Sequence, residues 1–262
     1  MGKVYHPDFF RHPAKPFTRR VLRQAVKHAC AEAPNEACGL VCDGSYVPCT
    51  NVAEDPLQEF VIPPDELAEA YASGLLEGII HSHPGGPWWP SRADMVGQME
   101  TAVPWAILVP GEGDAQLACW WGAPRPPVMT KQGLHVPRAF LHGVSDCYSL
   151  CQDYYRETAG LDLPDIARDW EWWLDPDLHG NLYMDNLSAQ GFEVIATDPQ
   201  TYAELAQPGD AYLMAIRSKV PNHAGIYLGD GLLLEHMHGN LSHREPIARK
   251  LKHITHWLRH KG

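Results

Sequence analysis

His81-Ser82-His83 is followed, eleven residues after the second histidine, by Asp94. Two imidazoles and a carboxylate are ligand types for a divalent ion such as Zn2+. The run "GIIHSH" reads as a short strand, in which residues two apart project to one face. His81 and His83 then project together and Ser82 turns away. Asp94 falls in "SRADMVGQMETA", a helix pattern with Ser91 at the N-cap, which puts Asp94 in the first turn. The loop between, Pro84 to Pro90, holds three prolines and two tryptophans and is stiff enough to fold that helix end back over the strand end. A catalytic zinc site keeps one position open beside its protein ligands. The chemistry also needs a base that is not a ligand. Glu36, just before the strand "ACGLVC", is the candidate. The same residues allow a plainer account, since Ser91-x-x-Asp94 is also a capping-box variant.

A second group of residues lies further along. "HGVSDCYSL" places Cys147 at the start of a helix, whose positive end favours a thiolate. Cys151 falls one turn deeper on the same face, a packed position. A cysteine nucleophile needs a base, and the base an orienting group. "NHAGIYLGDG" supplies His223 at the start of a strand, and Gly225 allows close approach beside it. These residues resemble those of the NlpC/P60 cysteine peptidases, and the resemblance implies Glu235 or His236 as the orienting group. Which of them shares the face of His223 depends on hairpin register, because a slip of one residue exchanges them.

These residues need elements to carry them. "TRRVLRQAVKHAC" is a helix from about Thr18, with Val21, Leu22, Ala25, Val26 and Ala29 on one stripe. Two strand-like runs flank Asp43-Gly44, a hairpin signal. "PPDELAEAYASGLL" is a second helix, and "WAILV" and "AQLACWW" are strands. After Ala123–Arg138, a stretch rich in proline that reads as a linker, comes the Cys147 helix. A Trp-rich irregular region and a short helix from about Asn181 follow. "AYLMAI", "HAGIYLG" and "GLLLEHM" are strands. This is an α+β or α/β chain with domains at 1–122 and 139–262 around a linker at 123–138. The basic C-terminus, "ARKLKHITHWLRHKG", reads as a surface helix or tail. Trp170, Trp172 and Trp173 read first as core or interface, and second as a glycan platform. His6 and His12 have no partners in the sequence pattern and take no role.

The 262 residues carry a net charge of -11, which argues against nucleic acid as a partner. No apolar run is long enough to span a bilayer, and the N-terminus lacks the layout of a signal peptide. The expectation is synthesis in a reducing cytoplasm, without membrane insertion. Seven irregularly spaced cysteines form no disulfide framework. Cys30, Cys38, Cys42 and Cys49 cluster early and read as buried thiols before they read as a metal site.

Glu36 before "CGL", then His81, His83, Ser91 and Asp94 at their spacing, resemble the signature of the JAMM/Mov34 (MPN) metalloproteases over about residues 16 to 122. The resemblance implies a mixed sheet flanked by helices, with zinc held by His81, His83 and Asp94. It also implies Glu36 as general acid/base, Ser91 as a stabiliser of the oxyanion, and hydrolysis of an amide or isopeptide bond. "SDCYSL", "QPGDAYLM" and "HAGIYLGDG" resemble the NlpC/P60 cysteine peptidases, which cleave peptide stems of bacterial cell walls. That implies a papain-like α+β domain with an antiparallel sheet, Cys147 as nucleophile and His223 as base. The third polar residue of that family corresponds here to Glu235, where histidine is common, with His236 directly after it. Tyr148 and Ser149 depart from the family's usual Asp-Cys-Ser-Gly form, which puts pocket shape and substrate in doubt.

The two segments in succession resemble tail-tip proteins of lambda-like siphophages. The partners this implies are other phage tail tip proteins and peptidoglycan peptide stems. The locations it implies are the host cytoplasm during assembly and the virion tail tip. The alternative is a structural tail-tip or assembly component in which one or both sites are inactive.

Overall fold

The computed structural model describes residues 16–262 except 113, 126, 131, 132 and 134. His6 and His12 lie outside the described residues. The chain forms two compact units that meet in sequence at Pro124 and Arg125.

In the N-terminal unit, α1 (Arg19–Glu32) starts where Thr18 caps the Val21 amide. β1 (Cys38–Cys42) and β2 (Ser45–Cys49) form the expected hairpin. Asp43 and Gly44 both take positive φ, as a two-residue turn of this hand requires. Then come α2 (Pro64–Ala72), β3 (Leu76–Ser82), α3 (Arg92–Thr101), β4 (Trp105–Pro110) and β5 (Ala115–Trp121). The sheet order is β2-β1-β3-β4-β5, with β3 and β4 parallel and the other pairs antiparallel. Parallel neighbours need a crossover, and α3 supplies it. Val21, Ala25 and Ala29 of α1 pack with Val41, Ile80, Ala106 and Leu108 on one face. His81, one residue past Ile80, therefore projects from the opposite face.

The C-terminal unit contains α4 (Cys147–Ala159), α5 (Pro176–His179), α6 (Leu182–Asn186), β6 (Phe192–Ala196) and α7 (Pro199–Leu205). Its remaining strands are β7 (Ala211–Met214), β8 (His223–Gly229), β9 (Leu232–Glu235), β10 (His243–Pro246) and β11 (Ile254–His260). They form an antiparallel sheet in the order β10-β9-β8-β7-β11-β6. Leu150 and Cys151 of α4 pack with Leu213, Ala224, Ile226 and Leu234 on one face. Tyr212, Met214, Leu233 and Trp257 pack on the other. Trp172 is buried in the α4-side core and Trp173 packs against it.

Two readings from sequence need correction. The C-terminal segment is β11, a strand inserted between β6 and β7. Its apolar residues mimic a helical stripe, but Trp257 and Leu258 are buried in cores on opposite faces of the sheet. The proline-rich segment is also not a free-running linker beyond Pro124. Arg125 pairs with Asp153, the Val128 amide donates to Glu157, and Val128 is fully buried in the C-terminal unit.

Gly225 of β8 lies opposite Tyr212. A Cβ there would fall 2.3 Å from the Tyr212 hydroxyl and 2.7 Å from the Leu234 carbonyl oxygen. The carbonyl belongs to a paired strand and cannot yield. Gly225→Ala is expected to lower unfolding stability by about 1–3 kcal/mol in urea titrations. An unchanged midpoint would show that the sheet relaxes around it.

Candidate active sites

The first site follows from strand pairing. Cys38 of β1 lies opposite His81 of β3. Continuing that antiparallel register puts Ala37 opposite Ser82 and Glu36 opposite His83, and directly opposed side chains share a face. Ser82 turns inward and locks the pairing. Its amide donates to the Ala37 carbonyl at 2.9 Å, and its hydroxyl accepts from the Ala37 amide at 2.8 Å. Glu36, His81 and His83 therefore reach one face. Asp94 arrives from the first turn of α3, where a capping box fixes it. The Ser91 amide donates to Asp94 Oδ2 at 2.7 Å and the Ser91 hydroxyl at 2.8 Å.

All five residues that sequence reading singled out come together here. His81 Nε2 and His83 Nε2 are 3.0 Å apart. Asp94 places Oδ1 3.3 Å from His81 Nε2 and Oδ2 3.5 Å from His83 Nε2. Glu36 Oε1 stands 4.0 Å from His83 Nε2. Glu36, His81, His83 and Asp94 are all buried. Phe60 stacks on His81, and Trp105 and Trp121 meet it edge-on.

The donor set suits a metal ion. His83 Nδ1 lies 2.9 Å from the Pro87 carbonyl oxygen. A carbonyl only accepts, so Nδ1 carries the proton and Nε2 turns its lone pair to the centre. Two imidazole nitrogens so close, beside a buried carboxylate, are held together best by a cation. His81, His83 and Asp94 offer ligand atoms that all lie within 4.8 Å of one another.

Burial sets the protonation of these groups. It lifts the Glu36 carboxyl to about 7 against the pull of His83, and Asp94 and Glu59 add to the rise. It lowers His81. In His83, burial is outweighed by Asp94 and Glu36, and the ring is raised. In Asp94, burial is outweighed by the two imidazoles, which hold the carboxyl far below the carboxylate range.

The second site is built at the start of α4. Asp146 caps the helix, accepting from the Ser149 amide at 3.0 Å and the Gly143 amide at 2.8 Å, with Arg168 at 2.6 Å. Cys147 Sγ is buried against Tyr183, 3.4 Å from its hydroxyl, and against the Ala224 backbone. The helix end does not lower this thiol. Burial, with the Asp146 charge beside it, pushes it up.

Register answers the question left by the sequence. Ile226 lies opposite Leu234, which puts Glu235 on the face of Gly225 and His223, and His236 on the face of Ala224. Glu235 Oε2 is 3.8 Å from His223 Nε2. The structure brings His223 and Glu235 together. Among the described residues no hydrogen bond joins His223 to Cys147, and His223 Nε2 has no hydrogen-bond partner. His236 is fully buried, edge-on to Phe140.

The Prok-JAB model, prokaryotic homologs of the JAB domain, matches residues 18–121, and the NlpC/P60 family model matches residues 121–259. Tail tip assembly protein K of Escherichia phage N15 is 33% identical over 88% of this chain and 89% of that protein. Tail tip assembly protein K of Escherichia phage lambda is 39% identical over 76% of this chain and 89% of that protein. This chain belongs to the tail tip assembly protein K family. Its α+β architecture, with a mixed sheet and then an antiparallel one, agrees with the JAB and NlpC/P60 matches.

Within this family member, sequence reading missed the side chains that surround the chosen residues. Tyr183 beside Cys147 and Lys250, His243 and Glu245 beside Glu235 come from distant elements, and no local pattern marks them. Only Asp146 carried a signal, as an N-cap residue directly before Cys147.

His223 and His236 have folded pKa values of about 3 and about 4, lowered mainly by burial, against 6.5 in the unfolded chain. Below pH 6.5 the unfolded chain binds more protons, so stability falls as pH drops toward 4. Each histidine contributes at most about 1.4 kcal/mol per pH unit. Denaturant titrations of the full chain from pH 7 to 4.5 are expected to show a shallower loss in His236→Asn. Equal slopes would mean that His236 is not held neutral.

Proposed function

We propose that this chain is a two-centre peptidase acting in phage tail tip assembly. Its N-terminal unit is a zinc-dependent amide or isopeptide hydrolase. Its C-terminal unit is a thiol peptidase of cell-wall peptide stems. The convergence of His81, His83 and Asp94, with Glu36 beside them but outside the ligand set, carries the first part. The ion supplies Lewis acidity there. Glu36, with its carboxyl lifted to about 7, is poised to take a proton from attacking water near neutral pH and return it to the leaving nitrogen. The half-buried Phe60 and the buried Trp105 and Trp121 exclude bulk water around His81. The Ser91 hydroxyl donates to Asp94 and steadies a ligand. The oxyanion role that its position implies requires that proton to be redirected to substrate.

In the second centre the raised Cys147 pKa means that the thiol rests protonated, so the nucleophile forms when a base removes its proton. His223 is that base, since its low pKa leaves the ring neutral. Glu235 orients the ring. Tyr183 donates to the sulfur as negative charge develops. Among the described residues no helix is long and apolar enough to cross a membrane. Tail tip proteins and stem peptides are the partners, and the virion tail tip and host cytoplasm the places of action.

Protein purified without chelator is expected to hold about one zinc per chain. Glu36→Gln is expected to keep the zinc and lose first-centre hydrolysis. Zinc loss in that variant would reassign Glu36 as a ligand. A folded protein without metal would favour a purely structural role in the tail tip.

Cys147→Ala is expected to abolish cleavage of stem peptides by the full chain, measured by release of fragments from host peptidoglycan. Cys151→Ala keeps most of that activity, because Cys151 is packed in the core with its thiol pushed well up. The opposite result would show that the wrong thiol was chosen.

A further inference from the structure

Behind His223 lies a group of charged side chains that the chemistry above does not use. Glu235 is fully buried, and only its Oε2 faces His223. Its Oε1 lies 3.1 Å from Lys250 Nζ and 3.4 Å from His243 Nε2. Lys250, from the turn before β11, also reaches Glu245 Oε2 at 3.3 Å. His243 is paired opposite Glu235 on β10, and Glu245 follows it two residues later on the same face. Glu245 is met from outside by Arg249 at 3.5 Å. Tyr212 of β7 completes the surroundings, its hydroxyl lying over Gly225. The cluster opens to a surface depression lined by Glu235, His243, Glu245 and Lys250. Glu235, His243 and Glu245 are residue types that hold metals. Here the Lys250 ammonium bridges the two carboxylates and is itself the cation of the cluster.

A buried carboxylate stays ionised only when an opposite charge compensates its lost hydration. His223, kept neutral, cannot provide that charge. We propose that Lys250 is a positioning residue of the thiol centre, favouring the carboxylate form of Glu235 at Oε1 so that Oε2 orients His223, with Glu245 holding the ammonium from the neighbouring strand. The inference rests on reading Cys147 and His223 as the peptidase pair. Burial, with the hydrogen bond to Glu245, lifts Glu235 to about 7, and Lys250 is the main opposing charge. Without Lys250 the carboxyl is therefore protonated at neutral pH, and the histidine loses its anionic partner.

Glu235 is followed by carboxyl 13C NMR titration of the full chain, its signal assigned by Glu235→Gln. The wild type is expected to titrate near 7, Lys250→Met at least about one unit higher, and Lys250→Arg near the wild type. An unmoved midpoint in Lys250→Met overturns the proposal. This arm needs no turnover, so it stands even if the wild type cleaves no stem peptide, a result that would refute the peptidase reading alone. Where turnover is seen, kcat/KM of Lys250→Met near pH 7 is expected to fall about tenfold, to recover as pH rises, and to be rescued by Lys250→Arg. Lys250→Met/Glu235→Gln is expected to be no slower than Glu235→Gln, and losses that add would mean that Lys250 does not act through Glu235.

Discussion

Ser82, the residue between the two histidines, holds the N-terminal centre together through two short hydrogen bonds to Ala37. They bring the residue before β1 alongside the end of β3, and so bring an acid from position 36 to imidazoles at 81 and 83. That pairing places the Glu36 carboxyl 4.0 Å from His83. The inward turn of Ser82 is a consequence of strand alternation, so one geometric rule sends the histidines to the face of Glu36 and Asp94 and their anchor to the opposite one. The parallel pairing of β3 and β4 then forces a crossover helix, and the start of that helix carries Asp94.

The two centres use burial in opposite ways. In the first, two imidazoles hold one carboxyl ionised while burial lifts another into the range of a base. Two carboxyls of the same chemistry are thereby held in different protonation ranges. In the second, burial raises the thiol and lowers the histidine. Both groups then rest neutral, one as a thiol and the other as an imidazole. The N-terminal end of α4 contributes less than its position suggests, since Asp146 takes up its free amides and adds a negative charge of its own.

Much of this was legible in the sequence, for reasons that are local. The Asp43-Gly44 turn, the Thr18 and Ser91 caps and the alternation in "IIHSH" depend on neighbours a few residues away, and each is where the pattern puts it. The C-terminal strand was not legible. Leu251, Ile254 and Leu258 repeat with helical spacing, and only pairing with β7 and β6 turns the segment into a strand. The proline-rich stretch misled for a related reason, since its order comes from Asp153 and Glu157 on α4 rather than from its own composition. The choice between Glu235 and His236 needed a register, which a tight Gly-Asp-Gly turn sets through backbone geometry that neither side chain reveals.

Glu235 is where the chain departs from the histidine common in NlpC/P60 peptidases, and the departure has consequences beyond one residue. A neutral imidazole can be buried behind a catalytic histidine at the cost of a hydrogen bond, whereas a carboxylate brings a charge that the interior must balance. The balancing cation meets the carboxylate oxygen that does not face His223. Lys250 reaches Oε1 because the turn between β10 and β11 packs on the Tyr212 and Leu233 face of the sheet, which also carries Glu235. A carboxylate at this position is thus balanced by a cation from a different part of the fold. Glu245 follows in turn, because an ammonium between two strands needs acceptors on both, and Glu235 of β9 and Glu245 of β10 provide them.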